Sequence, residues 1–284
     1  MIRSDDIAGQ NRQRPLGLMV VHSPVRDILS EDLAIARAIG ARLVELLPRW
    51  SDLPDPKELS KCINNNSLKV WSVHGPWGGQ SVRAQRVDLS DPDRLRHEES
   101  IDDVRRAADF AESLGAAMLV VHPGGLSAPD EIQIRSEVLA ESLDSLCEHL
   151  EGSRLRIGVE NMPSGVYPGS HMRDLREIVE SVGHERLGLV LDTGHANLTN
   201  GVVAETLAAG KWLISTHVHD NKGRSDTHLP PGQGTINWAE WLKVLNDTGY
   251  NGPLMLECVK HLREHSNQVL SDLDSFLKLY YETL

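Results

Sequence analysis

The sequence predicts a single-domain α/β protein built as a (βα)8 barrel. Short apolar segments alternate with amphipathic helical segments eight times across residues 16–284, which is the pattern of parallel strands joined by helices. The apolar segments are nearly continuous, as is typical of parallel strands buried on both faces. The first strand-to-helix turn lacks a GxGxxG motif, so a doubly wound open sheet is the weaker alternative.

The predicted strands are apolar runs that follow a polar N-terminal segment. Residues 1–15 carry three arginines and show no apolar period, so we expect a mobile arm before a barrel domain at 16–284. The strands are placed at 16–22, 42–47, 69–74, 117–122, 155–160, 187–192, 212–219 and 252–258.

Each predicted strand precedes a segment with helical periodicity. Ser30, followed by two acidic residues, is a typical N-cap for the first helix, and Gly40 and Gly115 end the first and third. The helices are placed at 30–39, 56–64, 93–114, 130–150, 172–182, 203–209, 238–248 and 266–284.

Composition narrows the class of protein. No apolar run reaches the length of a membrane span and no secretory leader is present, so we expect a cytoplasmic protein without a membrane partner. The net charge of −12 disfavours a broad nucleic-acid surface. Cys62, Cys147 and Cys258 show no CxxC spacing, which argues against a disulfide framework or a thiolate zinc site.

One loop is unusually rich in metal-ligand side chains. Residues 217–228 contain three histidines and two aspartates. His217 and His219 are two apart and therefore face the same side of a strand, and the pair Asp226 and His228 follows in the loop. Imidazole and carboxylate ligands suit zinc, manganese or a similar divalent ion.

The strand ends supply further ligands of the same kind. From the third to the eighth, every predicted strand ends in a residue able to bind a metal, and in a barrel these ends converge on the C-terminal mouth. They are His74, His122, Glu160, Asp192 with His195 close behind, His217 with His219, and Glu257.

Each ligand also has an ordinary alternative when taken alone. Glu160 could serve a helix cap, His74 or His122 could be a core histidine, and Asp192 could cap a turn. Glu45 lies inside its strand rather than at the end, which indicates a structural or supporting role. Cys258 adjoins Glu257 and points the other way, into the layer between barrel and helices.

In this order, the residues resemble those of the xylose isomerase-like barrel superfamily. That group contains sugar and sugar-phosphate isomerases and epimerases, and also the abasic-site nuclease endonuclease IV. The resemblance covers most of the chain from the first strand onward. The isomerase and epimerase branch implies one manganese, cobalt or magnesium ion, held here by Glu160, Asp192, His217 and Glu257.

The nuclease branch implies three zinc ions with nine ligands. Beyond the four above, the candidates are His74, His122, His195, Asp226 and His228. The first strand, however, ends Val-Val-His-Ser-Pro and lacks the His-Val-Ser and Gly-Gly signature of that branch. The segment from His228 to Ile236 is more similar to the isomerase and epimerase group.

The sequence thus favours a divalent-metal-dependent isomerase or epimerase that acts on a small sugar or sugar phosphate through an enediolate. The expected catalytic pair is Glu160 and Glu257. The expected substrate contacts are His195, His219, Lys222 and Arg224.

Two other interpretations stay open. An endonuclease IV-like zinc phosphodiesterase would use mouth-loop residues on abasic-site DNA, and those available are Arg49, Trp50, Trp77, Arg83 and Arg86. A barrel that binds metal without catalysis ranks last, because it has no need of two opposed carboxylates. Substrate identity, the number of metals and the oligomeric state, a homo-oligomer included, are left open.

Overall fold

A computed structural model describes residues 14–23, 27–78, 85–264 and 268–283. Eight parallel strands pair in sequence order and close into a barrel, which confirms the predicted fold. The strands are β1 (Leu16–Val21), β2 (Leu43–Leu47), β3 (Lys69–His74), β4 (Met118–Val121), β5 (Arg156–Glu160), β6 (Leu187–Asp192), β7 (Leu213–Val218) and β8 (Leu254–Leu256).

Helices surround the barrel and bury their apolar faces against it. In α5, for example, Met172, Leu175, Ile178 and Val179 are buried, and their spacing is that of one helix face. The helices are α1 (Ile28–Ala38), α2 (Pro56–Asn65), α3 (Arg94–Ser113), α4 (Ile132–His149), α5 (Met172–Val182), α6 (Thr193–Asn197), α7 (Val202–Ala209), α8 (Trp238–Asp247), α9 (Val259–Glu264) and α10 (Gln268–Glu282).

The capping side chains correct several predicted boundaries. Asp27, not Ser30, caps α1, because its carboxylate accepts a hydrogen bond from the backbone N–H of Ser30 at 3.2 Å. The short helices α6 and α9 were not predicted. Helix α6 begins where the Asp192 carboxylate accepts the N–H of His195 at 2.6 Å.

The end of the predicted arm is part of the barrel. Residues 1–13 lie outside the described residues. The Arg14 guanidinium donates from Nε to the carbonyl of Tyr250 at 2.8 Å, and the Tyr280 hydroxyl donates to the Arg14 carbonyl. These contacts fasten the residue pair before β1 to the segment before β8 through Tyr250 and to α10 through Tyr280.

Two further expectations concern the helices and the thiols. None of the helices among the described residues is long and apolar enough to cross a membrane. All three cysteines are free. Cys258 is buried in the apolar core, as expected, and burial raises the pKa of its thiol to about 12.

Candidate metal centre

A cavity of about 610 Å³ opens at the C-terminal ends of the strands. This is the end of a (βα)8 barrel where active sites are found. Its lining residues are Met19, Leu47, His74, Trp77, His122, Glu160, Met162, Pro163, His195, Ser225, Asp226, His228 and Glu257.

Four side chains are gathered at the base of the cavity, where Glu160 and Glu257 belong to its lining and the other two lie buried behind them. Each of Glu160, Asp192, His217 and Glu257 offers one ligand atom, and these atoms all lie within 4.8 Å of one another. They stand at the ends of β5, β6 and β7 and directly after β8. Strand pairing places Asp192 opposite His217, so the closed barrel itself brings the group together.

Two more groups of ligand atoms flank this centre. His74 and His122 each place Nε2 at 3.5 Å from Oε2 of Glu160, so Glu160 belongs to two groups at once. On the other side, His219, Asp226 and His228 form the third group. His195 lies beside it, with Nε2 at 3.3 Å from Oδ2 of Asp226.

Four histidines of the cluster are positioned through Nδ1. In each, Nδ1 lies within hydrogen-bond distance of a carbonyl or amide oxygen, and Nε2 is the nitrogen left for a ligand. The pairs are His74 with the Gly75 carbonyl at 2.9 Å, His122 with Gln85 Oε1 at 3.2 Å, His195 with the Asn161 carbonyl at 2.8 Å, and His228 with the Glu257 carbonyl at 2.9 Å. Metal-binding histidines are typically fixed in this way.

Several buried polar atoms at the centre lack hydrogen bonds within the described residues. They include Oε2 of Glu160, Oε2 of Glu257 and Nδ1 of His217. Buried polar atoms without partners cost free energy and are rare in native proteins. Carboxylate oxygens and an imidazole nitrogen gathered in this way fit a divalent cation.

The charges of the cluster shift its pKa values strongly. Burial alone would lower the pKa of His217, yet the carboxylates of Glu45, Glu160 and Glu257 raise it well above its ordinary value. Burial would raise the pKa of Glu160, but His217 and the other histidines hold it well below. Without a cation, the surrounding carboxylates therefore favour the protonated form of His217.

Not every predicted substrate contact faces the cavity. His219 is fully buried: its Nε2 donates to Oδ2 of Asp192 at 2.9 Å, and its ring stacks on His228 at 4.0 Å. Lys222 and Arg224 are exposed on the loop and do not line the cavity. Of the four predicted contacts, His195 lines it, and the roles of the other three stay predictions.

A glycine makes the position of His219 possible. A Cβ atom at Gly194 would lie 1.9 Å from Cε1 of His219, closer than any side chain allows. The Asp-Thr-Gly-His segment therefore has two roles: Asp192 is a ligand candidate, and Gly194 leaves room for the ring of His219.

The sequence analysis missed residues that hold the ligands in place. Asn161 accepts the Asp192 N–H on Oδ1 at 2.7 Å and donates from Nδ2 to the Asp192 carbonyl at 3.2 Å. Asp220 accepts the Gly232 N–H at 3.1 Å and the Trp238 indole N–H at 3.0 Å, which pins the loop that carries His228. The only sequence signal for either residue was its position beside a predicted ligand.

The residues proposed for DNA contact do not all lie on one surface of the described structure. Trp50, Trp77 and Arg86 line a groove of about 640 Å³ beside the cavity. Arg49 donates to the Ser51 hydroxyl at 3.3 Å. Arg83 lies outside the described residues.

Two curated relatives represent different activities. A fructoselysine 3-epimerase of Escherichia coli O157:H7 is 28% identical over 174 residues, which cover 59% of this chain and 62% of that protein. A probable endonuclease 4 of Chlorobium luteolum is 30% identical over 258 residues, 78% of this chain and 86% of that protein. The chain covers between 53% and 64% of the length of the first curated relatives that it matches.

Solved structures share the fold. The IolI protein with a bound zinc atom superimposes with a TM-score of 0.76 at 17% identity, over 94% of this chain and 99% of that one. The family model described as xylose isomerase-like TIM barrel matches residues 33–279. The closed barrel, its ligand-lined mouth and this match together show that the chain belongs to the xylose isomerase-like TIM barrel family.

Proposed function

We propose that the protein is a divalent-metal-dependent isomerase or epimerase of a small sugar or sugar phosphate, with Glu160 and Glu257 as its acid/base pair. The observation that carries this proposal is that the two carboxylates approach one imidazole nitrogen from different strands. Nδ1 of His217 lies 3.3 Å from Oε1 of Glu160 and 3.0 Å from Oε2 of Glu257. The fructoselysine 3-epimerase relative supports it.

The cation would be held by Glu160, Asp192, His217 and Glu257. When bound there, a divalent ion polarises a carbonyl and acidifies the neighbouring C–H. On the one-ion proposal we expect manganese, cobalt or magnesium.

The two glutamates would carry the proton. One carboxylate takes the proton from the carbon beside the carbonyl, and the C–H electron pair moves to give an enediolate. For epimerisation, the other glutamate, which enters the cycle protonated, returns a proton to the opposite face. A positioned acid or base contributes roughly 10² to 10⁴-fold to the rate.

The cavity walls suit a polyol. Met19, Leu47 and Met162 provide apolar surface on one part of the lining, while His195 and Asp226 provide polar atoms on another. A sugar presents both kinds of surface, and binding pockets commonly combine an apolar lining with a few polar groups that fix orientation.

A second candidate is an endonuclease IV-like zinc phosphodiesterase acting on abasic-site DNA. It is favoured by the presence of three ligand groups, two of which share Glu160, and by the probable endonuclease 4 relative. The net charge of −12 weighs against it, because DNA binding depends on neutralising phosphates with basic side chains.

Metal content and solvent-proton exchange distinguish the two. Protein purified without chelator is analysed for metals, then incubated with a panel of ketoses and ketose phosphates in deuterium oxide. One ion per chain with deuterium at the carbon next to the carbonyl supports the sugar proposal. Two or three zinc ions with cleavage of abasic-site DNA and no deuterium exchange would replace it with the second. A chain that takes up no metal would overturn both.

A further inference from the structure

Glu45 places a carboxylate inside the barrel, below the cluster of ligands. It stands in the middle of β2 between Val44 and Leu46, which belong to the apolar core around the barrel, so the pleat points Glu45 inward. Its exposed fraction is 0%. A buried carboxylate is costly unless it is paired, and its partners therefore indicate why it is there.

Those partners are a hydroxyl and an imidazole from two other strands. The Ser72 hydroxyl donates to Oε2 of Glu45 at 2.5 Å. Oε1 of Glu45 lies 2.9 Å from Nε2 of His217, and both side chains are fully buried. Glu45 itself does not line the cavity. Its direct contact with the ligand cluster is the one with His217, although its charge also acts on His74.

His217 is turned the opposite way from the four histidines oriented through Nδ1. Its Nδ1 faces Glu160 and Glu257, and its Nε2 faces the barrel interior. The four other rings donate to neutral carbonyl or amide oxygens. His217 instead has a carboxylate oxygen behind it, 2.9 Å from Nε2. A carboxylate in that position would hold the proton on Nε2 and make Nδ1 a stronger donor to a metal.

We propose that Glu45 is a positioning residue for metal binding. It fixes the tautomer and ring orientation of His217, so that the Nδ1 lone pair is directed between Glu160, Asp192 and Glu257. This inference rests on the metal centre of the proposed function. Such outer partners typically change metal affinity by about 10 to 100-fold.

The test is a titration of chelator-treated protein with Co²⁺, which reports affinity by calorimetry and ligand geometry by visible absorption. The variant is Glu45→Gln, which keeps the size of the side chain and removes its charge. Ser72→Ala is the matched control, because it removes the other contact of the same carboxylate and leaves the pair with His217. Melting curves in chelator establish that both variants fold.

We expect Glu45→Gln to weaken Co²⁺ binding by about 10 to 100-fold and to alter the Co²⁺ spectrum. Ser72→Ala should keep the wild-type spectrum and bind within about threefold of wild type, since its direct effect on His217 is small. Equal losses in the two variants, or wild-type affinity and spectrum in Glu45→Gln, would refute the positioning role while leaving the metal centre intact. Failure of the wild-type protein to take up Co²⁺ would instead overturn the metal centre, and this inference with it.

Discussion

Two buried groups of charges at the mouth of the barrel differ in how completely their atoms are paired. In the first, the loop clamp formed by Asp88 and Arg135, Oδ2 of Asp88 accepts from Arg135 Nη2 at 2.6 Å and from the Gly125 N–H at 3.0 Å. Oδ1 accepts the Ser90 N–H at 3.0 Å, and Arg135 Nε donates to the Tyr167 carbonyl at 3.0 Å. In the second, the metal centre, Glu160, Glu257 and His217 keep buried atoms without hydrogen bonds.

This difference in pairing indicates that the first group has a structural role and the second a functional one. The loop clamp is complete as it stands and joins the loops that follow β3, β4 and β5, so its purpose is to hold the mouth in shape. The candidate metal centre instead leaves carboxylate and imidazole atoms available to a further positive charge. Buried ionisable groups with perturbed pKa values in a cavity are candidates for function. A charged group whose atoms are all paired within the protein, such as the loop clamp, is better explained as structural.

The largest expected effect follows from changing Glu160, which two ligand groups share. Glu160→Gln keeps the shape and removes the charge, so we expect deuterium exchange on a ketose substrate to fall by about 10² to 10⁴-fold and bound metal to decrease. Stability in chelator should also fall at neutral pH, because His217, His122 and His74 hold the pKa of Glu160 well below its ordinary value against the effect of burial and would lose that carboxylate. Unchanged metal content and exchange would contradict the assignment of the centre.

The next effect breaks the loop clamp instead. Arg135→Met leaves the Asp88 carboxylate without its cation. Removing one partner of a buried pair typically costs about 3–5 kcal/mol, and because the Asp88 side chain is 13% exposed we expect a loss at the lower end of that range. We expect urea unfolding in chelator to show that loss, with the number of metal ions bound by the folded protein unchanged. The double variant with Asp88→Asn should recover much of the stability. If the Arg135→Met variant kept wild-type stability but bound less metal, the loop clamp would serve metal binding rather than the shape of the mouth.

Per pH unit, the smallest expected effect is the dependence of metal binding on pH. Burial alone would lower the pKa of both His217 and His228. Neighbouring carboxylates nevertheless raise the pKa of His217 well above its ordinary value, and Glu257 and Asp226 raise the pKa of His228 to about 10. A cation must displace these protons, so its affinity should increase as pH rises, by about tenfold per pH unit for each proton released.

The metal-free protein should show the opposite trend. A raised histidine pKa stabilises the folded state fully below the ordinary value near 6.5, and that contribution is lost as pH rises through about 10. Calorimetry in buffers with different protonation enthalpies measures the released protons, and urea unfolding in chelator gives the stability. These pKa shifts should affect metal binding between roughly pH 6 and pH 9. Metal affinity that does not change over that interval would contradict the claim that the cation displaces protons from His217 and His228.

The sequence analysis was most successful where a local pattern carries the information. Apolar periodicity located all eight strands, and the ends of the third to eighth strands each identified a ligand candidate, as for Glu160 after Val159. It was least successful where the chain depends on distant partners. Nothing near Asp88 or Arg135 indicates their pairing across 47 residues, and Ser30 was taken for a cap because Asp27 was overlooked.

What the sequence by itself determined is the order of strands and helices and the kinds of side chain at the strand ends. Both depend on residues close together in the chain. Only the tertiary structure decided that Glu45 stands behind His217, that Gly194 admits the ring of His219, and that Lys222 and Arg224 stay outside the cavity. These relations arise when the barrel closes, since strand register and side-chain direction set distances between residues far apart in sequence.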